Sequence, residues 1–275
     1  MTAISYLFVP GDRPDRFVKA LISAADCVVL DLEDAVISEK KDEARTHISK
    51  TLLETSEQDR ARILVRLNDV RSPHFENDLR WLQDQPLVEV MLSKTESDSD
   101  LTLVLSHMRA GSKVLALIES VKGIAKIQDI AGAKGLSRLA FGSLDYMLDL
   151  DISGPGTALD FAAIQISMAS RLFELPAPVA GVTPALDASK VRSDALHEKT
   201  LGFGAKLCIH PVQVPEVLSA FLPSKESLGW AEKIVGAWEG ASRSGSQIGA
   251  LKVDGQMVDK PVLIKAQRIL ALVKR

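Results

Sequence analysis

The sequence predicts a (β/α)8 TIM barrel, and three observations support this fold class. Eight short apolar runs follow one another along the chain, and each leads through a polar turn into a segment with helical spacing. Repeated strand–helix units form a parallel sheet, because each helix returns the chain to the start of the next strand. The eight units occupy about 220 residues, the usual size of a closed barrel, whereas open doubly wound sheets more often have about five to seven strands.

The predicted strands are the apolar runs themselves. In chain order they cover residues 6–9, 27–32, 63–67, 88–92, 114–118, 139–141, 178–182 and 206–209. The helices predicted between them cover residues 13–25, 39–53, 75–82, 100–109, 121–133, 158–174 and 189–201, and residues 212–221 form the last barrel helix.

The chain continues beyond the predicted barrel. Residues 224–241 are expected to form an additional helix, and the Ser- and Gly-rich residues 242–250 a loop or hinge. A short hairpin is expected at 251–259 around Asp254-Gly255, followed by a terminal helix at 261–274. We therefore predict a catalytic barrel domain at 1–241 and a C-terminal lid segment at 242–275, with a helix packed on its own barrel as the alternative.

Composition excludes several classes of protein. The 275 residues are 46% hydrophobic and 25% charged, enough to bury a large core. The net charge of −3 provides no basic field for nucleic acid or an anionic membrane. Residues 1–6 lack a signal-peptide pattern, and no apolar run reaches the roughly 18 residues of a membrane span. We expect a cytoplasmic protein that binds neither nucleic acid nor membrane.

Two carboxylates follow successive predicted strands. Glu119 directly follows the fifth run and Asp145 closely follows the sixth. Barrel active sites form at the C-terminal ends of strands, where an ionised carboxylate is costly unless it is paired. Mg²⁺ compensates such a charge and needs only one or two protein carboxylates. The pair predicts a divalent metal site, with helix capping or ordinary salt bridges as the alternative.

Further charged side chains converge on the same end of the barrel. The acidic residues Asp31, Glu33 and Asp34 follow strand two, and their charge is balanced by Arg66 of strand three and Lys94 of strand four. The guanidinium of Arg66 suits a substrate carboxylate, although a structural ion pair across the rim is the alternative. The acidic residues have helix capping as their alternative role.

Two arginines open the first helix, and a histidine ends the last strand. Arg13 and Arg16 are three residues apart beside a helix N-terminus, which favours a phosphate-bearing ligand; a solvated surface is the alternative. His210 stands between Ile209 and Pro211, so a structural hydrogen bond is as good an interpretation as a catalytic base.

Six segments together resemble the citrate lyase beta-subunit-like group of the HpcH/HpaI aldolase family. They are LFVPGDRPDRF at 7–17, VLDLEDAV at 29–36, VRLN at 65–68, ALIES at 116–120, FGSLD at 141–145 and GAKLCIHP at 204–211. The segments occur in the expected order over nearly the whole chain. One departure is Ser93 before Lys94, where relatives usually have proline.

The resemblance implies a Mg²⁺-dependent lyase, with Mn²⁺ as an alternative ion. Such enzymes cleave or form a carbon–carbon bond of a 3-hydroxyacyl thioester, with an acyl-coenzyme A and a 2-keto acid as the other reactants. Glu119 and Asp145 match the metal ligands, Arg66 the residue that holds the keto-acid carboxylate, and the acidic cluster the residues near metal-bound water. Arg13 and Arg16 fall in the segment associated with the coenzyme's nucleotide.

The tail carries a second part of the resemblance. The segment GQMVDKP at 255–261 is similar to the motif whose aspartate enters a neighbouring subunit's site in citramalyl-CoA lyase-like members. This implies a homo-oligomer, often a trimer, with Asp259 as an acid/base group. Two functional alternatives remain: a metal-dependent aldolase for free keto acids, and a non-catalytic subunit of an acyl-carrier lyase complex.

Overall fold

The computed structural model of the protein describes residues 3–243 and 249–272. Eight parallel strands pair in chain order and close into a barrel, since β1 also pairs with β8. The strands are β1 Ser5–Pro10, β2 Cys27–Asp31, β3 Ile63–Leu67, β4 Glu89–Leu92, β5 Lys113–Ile118, β6 Leu136–Phe141, β7 Val179–Ala180 and β8 Ala205–Cys208. The predicted TIM barrel is confirmed.

The barrel interior is an apolar core built from alternate positions of the strands. Val29, Leu64, Met91, Leu115 and Leu117 are buried there together with residues of the remaining strands. Because successive side chains of a strand point to opposite faces, the intervening residues face the surrounding helices. Among the buried polar residues, Asp31 and Glu119 lie at the C-terminal ends of β2 and β5.

Helices connect the strands. Those of the barrel are α1 Pro14–Leu21, α2 Lys41–Glu54, α3 Glu57–Arg60, α4 Phe75–Leu82, α5 Asp98–Leu105, α6 Val121–Ala125, α7 Ile127–Ala131, α8 Ser143–Asp149, α9 Thr157–Leu172, α10 Ala188–Thr200 and α11 Val214–Phe221. Short 3-10 helices at Ser38–Lys40 and Pro211–Gln213 precede α2 and α11.

Several predicted bounds are wrong. The helix predicted at 121–133 is two helices, because the backbone at Lys126 (φ −106°, ψ 12°) leaves the helical conformation. The strand predicted at 178–182 pairs only over Val179 and Ala180. The short helices α3 and α8 were not predicted, and a segment of four or seven residues is too short for periodicity to detect.

The chain divides into two compact units, Thr2–Leu218 and Ser219–Arg275. The second contains α12 Lys225–Arg243, the hairpin β9 Ala250–Val253 and β10 Gln256–Asp259, and α13 Lys260–Ala271. Its own small core includes Ala231, Ile234, Val258 and Ala266. The hairpin and the terminal helix occur where they were predicted. The functional division into residues 1–241 and 242–275 stays a prediction, and the loop predicted at 242–250 falls largely on residues 244–248, outside the described residues.

In the described ranges, no helix has both the length and the apolar character that crossing a membrane requires.

Candidate active site

Asp31 and Arg66 form a buried ion pair at the C-terminal ends of β2 and β3. The two residues are neighbours in the parallel register, and Asp31 is 0% exposed. Arg66 donates from Nε to Asp31 Oδ1 (2.7 Å) and from Nη2 to Oδ2 (2.6 Å). The same carboxylate accepts the backbone N–H groups of Glu33 and Ala35, each at 2.9 Å. Burial opposes its ionisation, but Arg66 and these N–H groups hold the pKa of Asp31 below its usual value. The bidentate geometry makes Asp31 the residue that orients Arg66.

Arg66 keeps donors for a ligand. Its Nη1 lies 2.9 Å from Glu33 Oε2, and its guanidinium stacks 4.7 Å from the centre of the Phe8 ring. Burial opposes its charge, yet the carboxylates of Asp31 and Glu33 raise the pKa of Arg66. A guanidinium has five N–H groups, so two remain without an acceptor among the described residues. Both interpretations of Arg66 therefore have support: it forms an ion pair across the rim and can still bind a carboxylate.

Glu33 lies between two cations. Besides Arg66, its carboxylate accepts a hydrogen bond from Lys94 Nζ, and that ammonium lies 3.7 Å from Asp34 Oδ2. Burial raises the pKa of Glu33 to about 7, with the neighbouring Asp34 adding to the rise and the cations opposing it. Glu33 is buried, whereas the side chain of Asp34 is 58% exposed. Glu33 thus combines burial with a pKa suited to proton transfer near neutral pH.

Glu119 is the buried carboxylate at the end of β5. It is 3% exposed, and its Oε2 accepts the backbone N–H of Lys94 at 2.9 Å. No described residue donates to Oε1. Burial, together with the negative charges of Glu33 and Asp145, raises the pKa of Glu119 to about 8, although the positive charge of Arg66 opposes the rise. A Cβ built on Gly142 would lie 2.3 Å from Glu119 Cγ and Oε1, so only glycine leaves room for this side chain.

Asp145 is the second predicted metal ligand. It lies in the first turn of α8, is half-buried, and acts electrostatically on Glu119. The described residues contain no group of three or more His, Cys, Asp or Glu side chains arranged to hold a metal. Two carboxylates suit Mg²⁺, because this ion fills its remaining coordination positions with water and substrate oxygens. One of the two, Glu119, is buried and has an oxygen to which no described residue donates. Glu119 and Asp145 could therefore hold the metal.

A buried polar network under the acidic loop was not predicted from the sequence. The ammonium of Lys41 donates to the carbonyls of Leu32 (2.7 Å) and Glu33 (2.9 Å) and to Asn68 Oδ1 (2.7 Å). Asn68 in turn donates from Nδ2 to Asp78 Oδ2 at 2.7 Å. Burial lowers the pKa of Lys41. A lysine is rarely buried unless it is paired, and the helical pattern of α2 does not mark Lys41 as buried. The available signal was the polar Asn68 at the end of a strand.

Other predicted residues lie apart from this cluster. Arg13 occupies the N-cap position of α1 without a capping hydrogen bond from its side chain, which donates to Asp15 instead (2.9 and 2.8 Å). Arg16 is exposed, and the contact of both arginines with a nucleotide stays a prediction. His210 accepts the Val212 N–H at 3.2 Å, a structural hydrogen bond.

Asp259 belongs to the second compact unit. It is half-buried and caps α13, because its Oδ1 accepts the Val262 N–H at 3.2 Å. Its role as an acid/base group stays a prediction.

A cavity of about 500 Å³ lies outside the barrel wall, beside β6, β7, α8, α9 and α10. Its lining is mainly apolar and includes Leu144, Leu159, Val182 and Phe203, but none of the predicted site residues. The charged cluster at the strand ends therefore defines the candidate site better than this cavity does.

The family model for HpcH/HpaI aldolase/citrate lyase matches residues 5–211, which include Asp31, Glu33, Arg66, Glu119 and Asp145. The chain belongs to this family. Its members include a citrate lyase subunit beta-like protein of Mycobacterium tuberculosis, which is 35% identical over 96% of this chain and 93% of its own length. Citrate lyase subunit beta of Escherichia coli is 31% identical over 98% and 93% of the two chains. Human mitochondrial citramalyl-CoA lyase is 27% identical over 97% and 84%.

Solved structures of the family agree with the fold. The crystal structure of CitE from Mycobacterium tuberculosis in complex with magnesium, acetoacetate and coenzyme A superposes with a TM-score of 0.84 at 32% identity, covering 99% of this chain and 98% of the other. A second CitE structure contains magnesium and pyruvate, with a TM-score of 0.76 at 28% identity over 98% of each chain. Magnesium and coenzyme A, the cofactor and the thioester carrier expected from the sequence, are confirmed as ligands in this family.

Proposed function

We propose that this protein is a magnesium-dependent carbon–carbon lyase that cleaves a 3-hydroxyacyl thioester of the citramalyl, malyl or citryl type into an acyl-coenzyme A and a 2-keto acid, or runs the reverse condensation. One observation carries the proposal: Glu119 and Arg66 belong to the same charged cluster. Glu119 is a buried carboxylate with one oxygen to which no described residue donates. Arg66 is a guanidinium with two N–H groups that have no acceptor among the described residues. The first suits a metal ion and the second a substrate carboxylate.

The chain's own residues would bind and orient the substrate. Glu119 and Asp145 would hold the Mg²⁺, which acts when bound as a Lewis acid on a keto or hydroxyl oxygen. Arg66 would bind the keto-acid carboxylate, and Asp31 prevents the guanidinium from turning away. Because Asp31 and Glu119 are buried and the Arg66 side chain is only 11% exposed, this arrangement does not have to be rebuilt each time a substrate enters.

Cleavage requires two proton movements. A base removes the proton of the 3-hydroxyl, the carbon–carbon bond breaks, and its electrons form the thioester enolate, which then takes up a proton. Glu33, with a pKa of about 7, has the burial and the basicity for one of these steps. Asp34 is more exposed and lies farther from Lys94, so we assign it the supporting electrostatic role. The sequence motif around Asp259 supports that residue as the second proton carrier.

The test is Mg²⁺-dependent cleavage of (R)- and (S)-citramalyl-CoA, malyl-CoA and citryl-CoA by the wild type and Glu119→Gln. We expect at least one thioester to be cleaved in the presence of Mg²⁺, with the rate reduced at least about a hundredfold by the substitution, since a metal contributes several kcal/mol and each 1.4 kcal/mol is about tenfold. Glu54→Gln, at an exposed carboxylate of α2 outside the cluster, is the matched control and should retain the wild-type activity.

Two other outcomes have distinct meanings. Cleavage of a free 4-hydroxy-2-keto acid together with no binding of coenzyme A would identify a free-acid aldolase instead. No cleavage of any of these compounds, by a protein that binds Mg²⁺, would identify a non-catalytic subunit.

A further inference from the structure

Lys94, in the turn directly after β4, has a left-handed backbone conformation. The described residues include four non-glycine positions with positive φ: Lys94 (45°), Asp151 (55°), Glu174 (57°) and Asp254 (45°). Asp151 and Glu174 follow the C-caps of α8 and α9, and Asp254 lies in the turn between β9 and β10. Left-handed backbone is regular at helix ends and hairpin turns. Lys94 is at neither, and a left-handed residue with a long side chain is uncommon.

The neighbours of Lys94 hold it in this conformation. On one side, the buried Ser93 donates from Oγ to the last carbonyl of β3. On the other, the buried Thr95 donates its backbone N–H to the carbonyl of Leu117 in β5 (3.1 Å) and its Oγ1 to the last carbonyl of β4 (2.9 Å). The chain is thus anchored to both adjacent strands, and these contacts restrict the direction of the Lys94 peptide.

That direction is toward Glu119. The Lys94 N–H donates to Oε2 at 2.9 Å, and it is the one hydrogen bond to this carboxylate from the described residues. On its other side the carboxylate packs on Gly142, where a Cβ would lie 2.3 Å away. A carboxylate held between one donor and one glycine has little freedom to rotate.

We propose that Lys94 is a positioning residue whose left-handed backbone aims its peptide N–H at Oε2 of Glu119 and leaves the other oxygen for the cation. This inference rests on the metal site of the proposed function. The role belongs to the peptide group. The ammonium contacts Glu33 and Asp34 and acts on Glu119 only through its charge. Variants that all lack the ammonium but differ in backbone preference therefore isolate the role of the backbone.

The test compares Lys94→Asn with Lys94→Val. Both remove the ammonium and keep a peptide N–H, but asparagine tolerates the left-handed region, whereas a β-branched side chain does not. Mg²⁺ binding to each purified protein is measured by calorimetry, with Glu119→Gln as the non-binding reference. We expect K94N to bind Mg²⁺ within about threefold of the wild type and K94V at least about tenfold more weakly, the usual effect of losing a group that orients a metal ligand.

Two further variants keep the test decisive if K94V does not fold. Ser93→Ala and Thr95→Val each remove one side-chain anchor, and each should weaken Mg²⁺ binding about three- to tenfold while K94N does not. Equal affinities for K94N and K94V, or unchanged affinities in both anchor variants, would overturn the inference. If K94N and K94V were equally weak, the ammonium would be the active group.

The outcomes also separate this inference from the proposed function. A wild type that binds Mg²⁺ but cleaves no thioester would contradict the function and leave the role of Lys94 to be decided by the affinities. A wild type that binds no Mg²⁺ would remove the metal site and with it this role.

Discussion

Replacing Asp31 by alanine should destabilise the barrel strongly, because this carboxylate is fully buried and satisfies four donors at once. It accepts two hydrogen bonds from Arg66 and two backbone N–H groups. Removing one partner of a buried ion pair typically costs about 3–5 kcal/mol, because the remaining charge is left without compensation. The two N–H groups can be rehydrated only in part, so we expect a loss of about 4 kcal/mol in the free energy of unfolding.

Urea unfolding followed by circular dichroism measures this change. With a slope of about 2–3 kcal/mol per M, a loss of about 4 kcal/mol moves the midpoint by about 1–2 M. Asp34→Ala is the matched control, since its side chain is 58% exposed and the change should stay within about 0.5 kcal/mol.

A double-mutant cycle makes the test specific to the ion pair. In an Arg66→Met background, Asp31→Ala should cost at least about 1 kcal/mol less than in the wild type, because the charge left without compensation is gone. A loss below about 1 kcal/mol for the single Asp31→Ala change, or full additivity in the cycle, would refute the assignment of this pair as the support of the site.

Three further predictions follow from the same contacts. Gly142→Ala should weaken Mg²⁺ binding about 10- to 100-fold by displacing Glu119, whereas Gly154→Ala, where a Cβ meets no atom within 4 Å, should not; calorimetry compares the two. The pKa of Glu119 is raised from 4.5 to about 8 in the metal-free protein, so the folded state holds a proton that the unfolded chain releases. The free energy of unfolding of the metal-free protein should therefore fall as pH rises from about 4.5 to about 8. Over the same range, Mg²⁺ affinity should increase up to about tenfold per pH unit. If Glu119→Gln showed the same dependence of stability on pH in urea unfolding, Glu119 would not be the titrating group. Lys41→Met should cost about 2–4 kcal/mol in urea unfolding, because two carbonyls and Asn68 lose a buried donor, and a loss under 1 kcal/mol would mean that water replaces the ammonium.

The barrel and the position of its site were predictable because they depend on patterns that the sequence displays directly. Apolar runs in strand–helix repeats predict a parallel sheet, eight such repeats favour a closed barrel, and the strand ends of a barrel meet at one rim. Asp31 and Arg66 were therefore expected near each other, and the structure places them side by side in the register.

Details that depend on tertiary packing were not predictable. The left-handed backbone of Lys94 has no local sequence signal, since glycine or asparagine would normally mark such a position. The burial of Lys41 depends on carbonyls of a loop that precedes its helix. The predicted helix at 13–25 ends at Leu21, and Arg13 occupies its N-cap position instead of lying within it. For Lys94 and Lys41, the contacts to Glu119 and Asn68 are distant in sequence, so no local pattern predicts them.

The most direct measurement of the central claim is the product analysis of one reaction, a citramalyl-, malyl- or citryl-CoA thioester incubated with the metal-free protein before and after addition of Mg²⁺. We predict no conversion without the ion and, after its addition, equal amounts of an acyl-coenzyme A and a 2-keto acid, formed at least about a hundredfold more slowly by Glu119→Gln. Conversion that is independent of Mg²⁺, or that proceeds at the wild-type rate in Glu119→Gln, would contradict the assignment of the carboxylate cluster as a metal-dependent lyase site.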